Sequence, residues 1–300
     1  PAVIADVGCG TGLITAALLI EYHRADPLLN LRWLGSADII RFAVVAMSVR
    51  IVLSEQTYGA IGLLGTLGMG NDQLIPLFGV VSVASLAGLI VSAATLDPLR
   101  LGTPIRISLI LIAIGAFNDA GATNLTRPME MYLSQSLIAF AALYFMGPTL
   151  LIGMLRGLSK GFNHVVSFSA LFSITQSLGG LAGSALLGTF QIVREKFHSH
   201  ALVESIQATD PLDAGRLQAL GGAYGRVLID PALRQAEGAV ALGQQISREA
   251  NVLAYNDVFL LIGCIALATF AWLQVLAIRN RLRGHNPMAE VLATIARNKK

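Results

Sequence analysis

Long stretches of this chain, among them Leu74–Ala94 and Val258–Ile278, run for the length of a bilayer crossing without one charged side chain. A spanning helix needs about 20 mostly apolar residues. Seven stretches meet that need approximately: Pro1–Ile20, Ile39–Leu64, Leu74–Ala94, Pro104–Phe117 (extending to about Ala120), Tyr132–Leu155, Val165–Val193 and Val258–Ile278. Composition agrees. Only 13% of the 300 residues are charged and 54% are hydrophobic, whereas a soluble domain carries roughly 25% charged residues. The same numbers exclude a disordered chain, which is polar and charged. The expected fold class is all-α, a polytopic membrane helix bundle.

Prolines punctuate the segments. Pro27, Pro98, Pro104, Pro128 and Pro211 lie at or beside segment ends, and Pro76 lies in a first turn, where a missing N–H does least harm. Pro148 is internal and predicts a kink, with neighbouring helices satisfying the carbonyl it frees. Basic residues set the orientation. Twelve of the 21 Lys and Arg, including Arg106, Arg156, Arg279, Arg281 and Arg283, fall in the loops and tail of one side. That side is therefore expected to be cytoplasmic, together with the C-terminus. Segment 194–257 between the last two spans carries six basic and eight acidic residues. Its apolar residues recur at near-helical spacing, and Asp210-Pro211 and Asp230-Pro231 read as N-caps followed by Pro. Two or three amphipathic helices on the outer membrane face are expected there.

Ala5-Asp6-Val7-Gly8-Cys9-Gly10-Thr11-Gly12 matches the glycine-rich loop of class I methyltransferases. That chemistry needs an alternating α/β chain behind the loop, and a lone Gly-rich match is weak without its context. A small-residue packing face suits the stretch better. Cys9 and Cys264 give no metal spacing and no disulfide framework, and read as lipid-facing or packed thiols. His198-Ser-His200 lacks a third ligand at metal spacing, and no H-E-x-x-H, G-x-S-x-G or P-loop occurs. No catalytic residue, metal site or nucleic-acid partner is expected.

Charged residues inside the apolar stretches are the candidate sites, because lipid disfavours them. Arg50 near mid-span costs about 2.5–3.5 kcal/mol on insertion scales and should face a cavity or a partner. Glu55, five residues on, lies roughly 7.5 Å further along the axis and about 140° around it, so each should find its partner on another helix or in water. Glu55 is read as the group that binds and releases a coupling proton, with Arg50 tuning it or contacting an anionic substrate. A fixed interhelical ion pair is the alternative, and Arg41 reads as a residue snorkelling to the interface. Asp119, beside Asn118, reads as interfacial. Gln135 and Gln176 lie within spans and would hydrogen-bond a ligand or a neighbouring helix.

Five stretches in order resemble one family. Glu21 to Arg32 resembles the acidic-x-Pro-Leu-x-x-Leu-Arg linker before the C-terminal domain of 14-helix major facilitator transporters. Asp97, Arg100, Gly102 and Arg106 resemble the second copy of that superfamily's D-x-x-x/R-x-G-x-x-R loop. Gln176, Gly179, Gly180 and Gly183, continued by Ser184 and Gly188, resemble its penultimate helix. Arg194, Glu195 and His198 follow, then the long segment, then Tyr255, Asp257 and Phe259. The order is similar to drug:proton antiporters, including inner-membrane pumps of tripartite efflux systems. Arg41, Arg50 and Glu55 depart from it, since the family has an apolar helix there.

The resemblance implies helices eight to fourteen of fourteen in a bacterial inner membrane. Residues 1–20 would be the last helix of the inter-domain pair and 21–38 the cytoplasmic linker. Residues 39–278 would be the C-terminal six-helix domain with an external loop 194–257, and 279–300 the cytoplasmic tail. Pro1 in place of Met fits a fragment lacking its N-terminal half. Implied partners are lipid, that missing half and a small-molecule substrate, with a periplasmic membrane-fusion adaptor left open. The implied function is export of drug-like or amphipathic molecules against protons, driven by a proton gradient with no bound cofactor. A docking or assembly subunit and an uptake facilitator of the same superfamily remain alternatives.

Overall fold

The computed structural model describes residues 12–298 apart from 14, 18, 25, 26, 28, 207–209 and 285. The methyltransferase-like stretch up to Thr11, Asp6, Cys9 and most of the first expected span lie outside the described residues, as do Lys299 and Lys300. Among the described residues the chain is all-helical. A short α1 (Leu31–Leu34) precedes α2 (Ala37–Val52), a π-helical segment (Glu55–Ala60) and α3 (Ile61–Thr66). Then come α4 (Asn71–Ala94), α5 (Gly102–Asp119), a 3-10 turn (Pro128–Met131) leading into α6 (Tyr132–Leu158), α7 (Phe162–Glu204), α8 (Pro211–Gly222), α9 (Pro231–Leu282) and α10 (Pro287–Asn298). Among the described residues four stretches are long and apolar enough to cross a membrane: Asn71–Ala94, Pro128–Leu158, Phe162–Glu204 and Pro231–Leu282.

The core is built from facing stripes of several helices, with Leu187 bringing α7 into the larger cluster. Val49 and Val52 of α2, Leu109, Ile112 and Ala116 of α5, Phe145 of α6, and Val258, Ile262 and Ala266 of α9 form its larger cluster. A second cluster joins Leu63 and Leu64 of α3, Leu74 and Leu77 of α4, Met131, and Tyr255 and Phe259 of α9. Outward faces stay apolar. Ile75, Val83, Leu86 and Ile90 of α4 are all exposed, a surface suited to lipid and not to water. Cys264 faces outward on α9.

Small residues set the helix spacing. A Cβ on Gly88 of α4 would strike the Phe140 backbone of α6, and one on Gly153 of α6 would overlap the Phe168 ring of α7. Pro148 leaves the Tyr144 carbonyl of α6 without its intrahelical donor. Ser92 Oγ of α4 donates to that oxygen at 3.3 Å, the kind of neighbour rescue that lets proline stand inside a membrane helix. Pro76 falls beyond the first turn, because α4 starts at Asn71.

Segment 194–257 differs from its expected form. Only α8 is a separate helix; residues 194–204 continue α7 and residues 231–257 belong to α9. At 1.5 Å per residue, the 43 residues of α7 and the 52 of α9 reach about 64 and 78 Å, well past an apolar core of about 30 Å. The two helices therefore leave the apolar zone as one stalk, with α8 packed on it. Gly238 and Gly221 make that crossing tight: a Cβ on Gly238 would meet the Leu217 carbonyl and the Gly221 backbone. The caps sit where the sequence puts them. Asp210 accepts from the Leu212 amide at 2.8 Å and Asp230 from the Ala232 amide at 2.9 Å, each followed by Pro at the first helical position.

Candidate functional site

Beyond Leu53 the first long segment abandons α-helical winding for the π-helical turn Glu55–Ala60. The uniform 100° rotation per residue assumed from sequence is interrupted at Leu53–Ser54, and Glu55, the first residue of the π-helical turn, is buried in the bundle. Such segments often mark functional sites. Two aromatic side chains of α9 hold it from behind. A Cβ on Gly59 would strike the Phe259 ring and one on Gly62 the Tyr255 ring, so glycine is what lets α9 approach.

Glu55 is 0% exposed, Gln135 2% and Asp119 4%. The Gln135 side-chain nitrogen donates to Glu55 Oε1 at 2.9 Å and to Asp119 Oδ2 at 2.8 Å. One amide NH2 has two hydrogens, so both are spent on the two carboxyls. The α5–α6 contact that brings Asp119 in depends on Gly115, one turn earlier, where a Cβ would meet Ile138 and the Ser134 carbonyl. The Gln56 amide donates to the Gln135 main-chain oxygen at 3.1 Å and steadies the same turn of α6. Glu55 Oε2 is buried with no hydrogen-bond partner. The result is a buried pair of carboxyls, bridged by a neutral amide, with no ion pair to any cation among the described residues.

Arg50 is not part of this group. It lies half-buried against α7, where a Cβ on Gly179 would meet its Cβ and one on Gly180 would meet its guanidinium. The same ladder continues: Gly183 faces Ser54 and Gly188 faces the Tyr58 hydroxyl. The glycines thus form the groove that receives the 47–58 stripe. Gln176 is half-buried one turn before Gly180 and does not join Glu55. Asp119, expected at the interface, is buried instead. Its place at the end of an apolar run gave no sign of that, because burial depends on α6.

Asp97, Arg100, Gly102 and Arg106 shape the turn between α4 and α5. Asp97 Oδ1 accepts from the Leu99 amide at 2.9 Å, and Arg100 pairs loosely with Asp97 at 3.9 Å. Gly102 opens α5. Arg106 donates to the Gly102 carbonyl at 3.1 Å, to Thr103 Oγ1 at 3.2 Å and to Gln274 Oε1 of α9 at 2.7 Å.

A second polar centre joins α7 and α9 at the foot of the stalk. Asp257 Oδ2 lies 2.6 Å from Arg194 Nε and 2.6 Å from His198 Nε2. Beside it, the Gln191 amide donates to Asn251 Oδ1 at 2.7 Å. The i, i+4 spacing of Arg194 and His198 is the sequence signal for this centre. No family model, curated protein or solved structure matches the chain.

Proposed function

We propose that this chain is the C-terminal half of a 14-helix major facilitator drug:proton antiporter, exporting amphipathic small molecules by alternating access. The observation that carries the reading is the Glu55–Gln135–Asp119 group. An ionised carboxylate is costly in an apolar bundle unless something compensates it. Here the compensation is neutral: one amide shared by two carboxyls, with the Ser134 hydroxyl beside Asp119. A proton taken by either carboxyl removes the repulsion between them, and its release restores it. Glu55 and Asp119 thus form one proton-carrying unit, with Gln135 as the positioning residue. Arg50, set apart on the glycine groove of α7, acts in this reading on the substrate side with Gln176. In this reading seven spans, a cytoplasmic C-terminus and an N-terminal partner half complete the transporter in an inner membrane.

The test is dye export from cells carrying the intact gene. Glu55→Gln and Asp119→Asn are expected to abolish proton-driven export while the protein still reaches the membrane. Normal export by Glu55→Gln would end the coupling role.

The stalk favours a second reading, an assembly subunit whose projecting helices dock a periplasmic adaptor. Deleting Ala201–Arg248 separates the two. Export lost with the deletion but kept in both carboxyl variants is the result this reading expects.

A further inference from the structure

At the end of the bundle opposite Glu55, α2, α5, α6, α9 and the start of α10 enclose a cavity of about 410 Å³. Arg41, Arg106, Arg156, Arg279 and Arg283 line it, against one carboxylate, Asp38. Five guanidinium groups minus one carboxylate leave four positive charges in excess. Asp38 is itself engaged: its Oδ1 lies 3.4 Å from Arg41, and its main-chain oxygen accepts from Arg156 at 3.2 Å. Arg106 is fixed by three neutral acceptors, which orient a guanidinium without cancelling its charge. Asp97, in the loop that precedes α5, pairs with Arg100 instead. Below the arginines the walls turn apolar, with Phe42, Phe145 and Leu276.

We propose that this cavity binds a phosphate-bearing anion, its phosphate seated among the arginines and any apolar tail along the Phe42–Phe145 wall. Guanidinium forks match phosphate oxygens in geometry and charge. Basic pockets between membrane helices are suited to anionic head groups. Arg106 and Arg156 are half-buried and pre-positioned, whereas Arg279 and Arg283 are exposed at the mouth. The site shares no residue with the carboxyl pair.

The test uses the full chain in dodecyl maltoside. Melting temperature and native mass spectrometry are read with dioleoylphosphatidylglycerol, with dioleoylphosphatidylcholine, and with inorganic phosphate against chloride at equal ionic strength. Phosphatidylglycerol is expected to bind and protect more than the zwitterionic lipid. R279Q/R283Q is expected to weaken it at least about tenfold, on the order of one charged hydrogen bond lost. R156Q should weaken it again, with R156K recovering part. The control R216Q/R226Q removes two charges from the stalk and should bind as the parent does. Protection by inorganic phosphate as well identifies a small anion as sufficient; protection by the lipid alone identifies a head group with its chain. Equal behaviour of both lipids with no phosphate effect, or unchanged binding by R279Q/R283Q, overturns the proposal and leaves the arginines as interfacial residues.

Discussion

Glu55 and Asp119 sit toward one end of the helix bundle and share a single amide, whereas Arg106 and Arg156 sit toward the other and line a cavity with three further arginines. Arg106 and Asp119 belong to the same helix, α5. Thirteen residues separate them, about 20 Å along its axis. The two centres solve opposite problems. The carboxyls are fully enclosed and make no ion pair, so their charge is controlled by a proton or by nothing. The arginines have mostly neutral partners too, but open space beside them, so an anion can reach them. The helix itself holds the two charges that far apart, so each centre has to be compensated by its own neighbours.

Gln135→Leu should break the comparison most severely. It removes the one donor shared by both carboxyls and leaves two enclosed acids facing each other. Hydrogen bonds to charged groups are worth about 1.5–3 kcal/mol each, so losing two gives an expected loss of stability of about 3–6 kcal/mol. A thermal melt in detergent measures it. A change below about 1 kcal/mol would mean that the bridge contributes nothing and that the two acids are held apart by other groups.

A double-mutant cycle sharpens the same centre. Glu55→Gln and Asp119→Asn keep shape while removing one charge each. If the carboxyls act as a unit, their effects should be non-additive by about 1 kcal/mol, the second substitution costing less than the first. Additive effects would make them two independent acids.

Much of this arrangement was readable from residues alone, and the unread parts share one cause. The apolar runs became α4, α5 and α6 nearly at their expected bounds, because twenty apolar residues have one favourable solution in lipid. Asp210 and Asp230 cap their helices as expected, because capping is local. The Gly179–Gly183 ladder packs a neighbouring helix, a contact that small-residue spacing foretells. Glu55 and Gln135 were both singled out, but their pairing with each other was not. The π-helical turn that begins at Glu55 packs on Phe259 of α9 through Gly59, a contact no local periodicity encodes. Asp119 looked interfacial because burial there comes from α6. The length of α9 was hidden because its stalk half is polar, and polar helix and polar loop differ only in the partner they zip against, here Gln191 and Arg194 of α7. The arginine cavity assembles from segment ends far apart in sequence.

Salt should separate the two centres by accessibility. The Debye length falls from about 10 Å at 0.1 M to about 3 Å at 1 M. Screening reaches the open arginines and not the enclosed acids. Raising sodium chloride across that range should stabilise the protein by less than about 1 kcal/mol, through relief of repulsion among the arginines. The increment should shrink in R279Q/R283Q and persist unchanged in Glu55→Gln. An increment that vanishes in Glu55→Gln would place the salt-sensitive charge in the wrong centre.

The smallest expected effect is that of Asp38→Asn. Asp38 and Arg41 are 74% and 47% exposed at the side chain and stand one turn apart on α2, and exposed pairs of this kind contribute about 0.2–1 kcal/mol at most. The substitution should therefore lower stability by no more than about 0.5 kcal/mol. Its effect on the cavity should be the reverse. Removing the one lining carboxylate raises the excess positive charge and frees the Arg41 guanidinium, so phosphatidylglycerol should bind more tightly than to the parent protein. Lipid titration followed by native mass spectrometry reads that change. Weaker binding in Asp38→Asn would mean that the carboxylate serves to position Arg41 and Arg156, and that orientation of those two arginines matters more than the net charge around them.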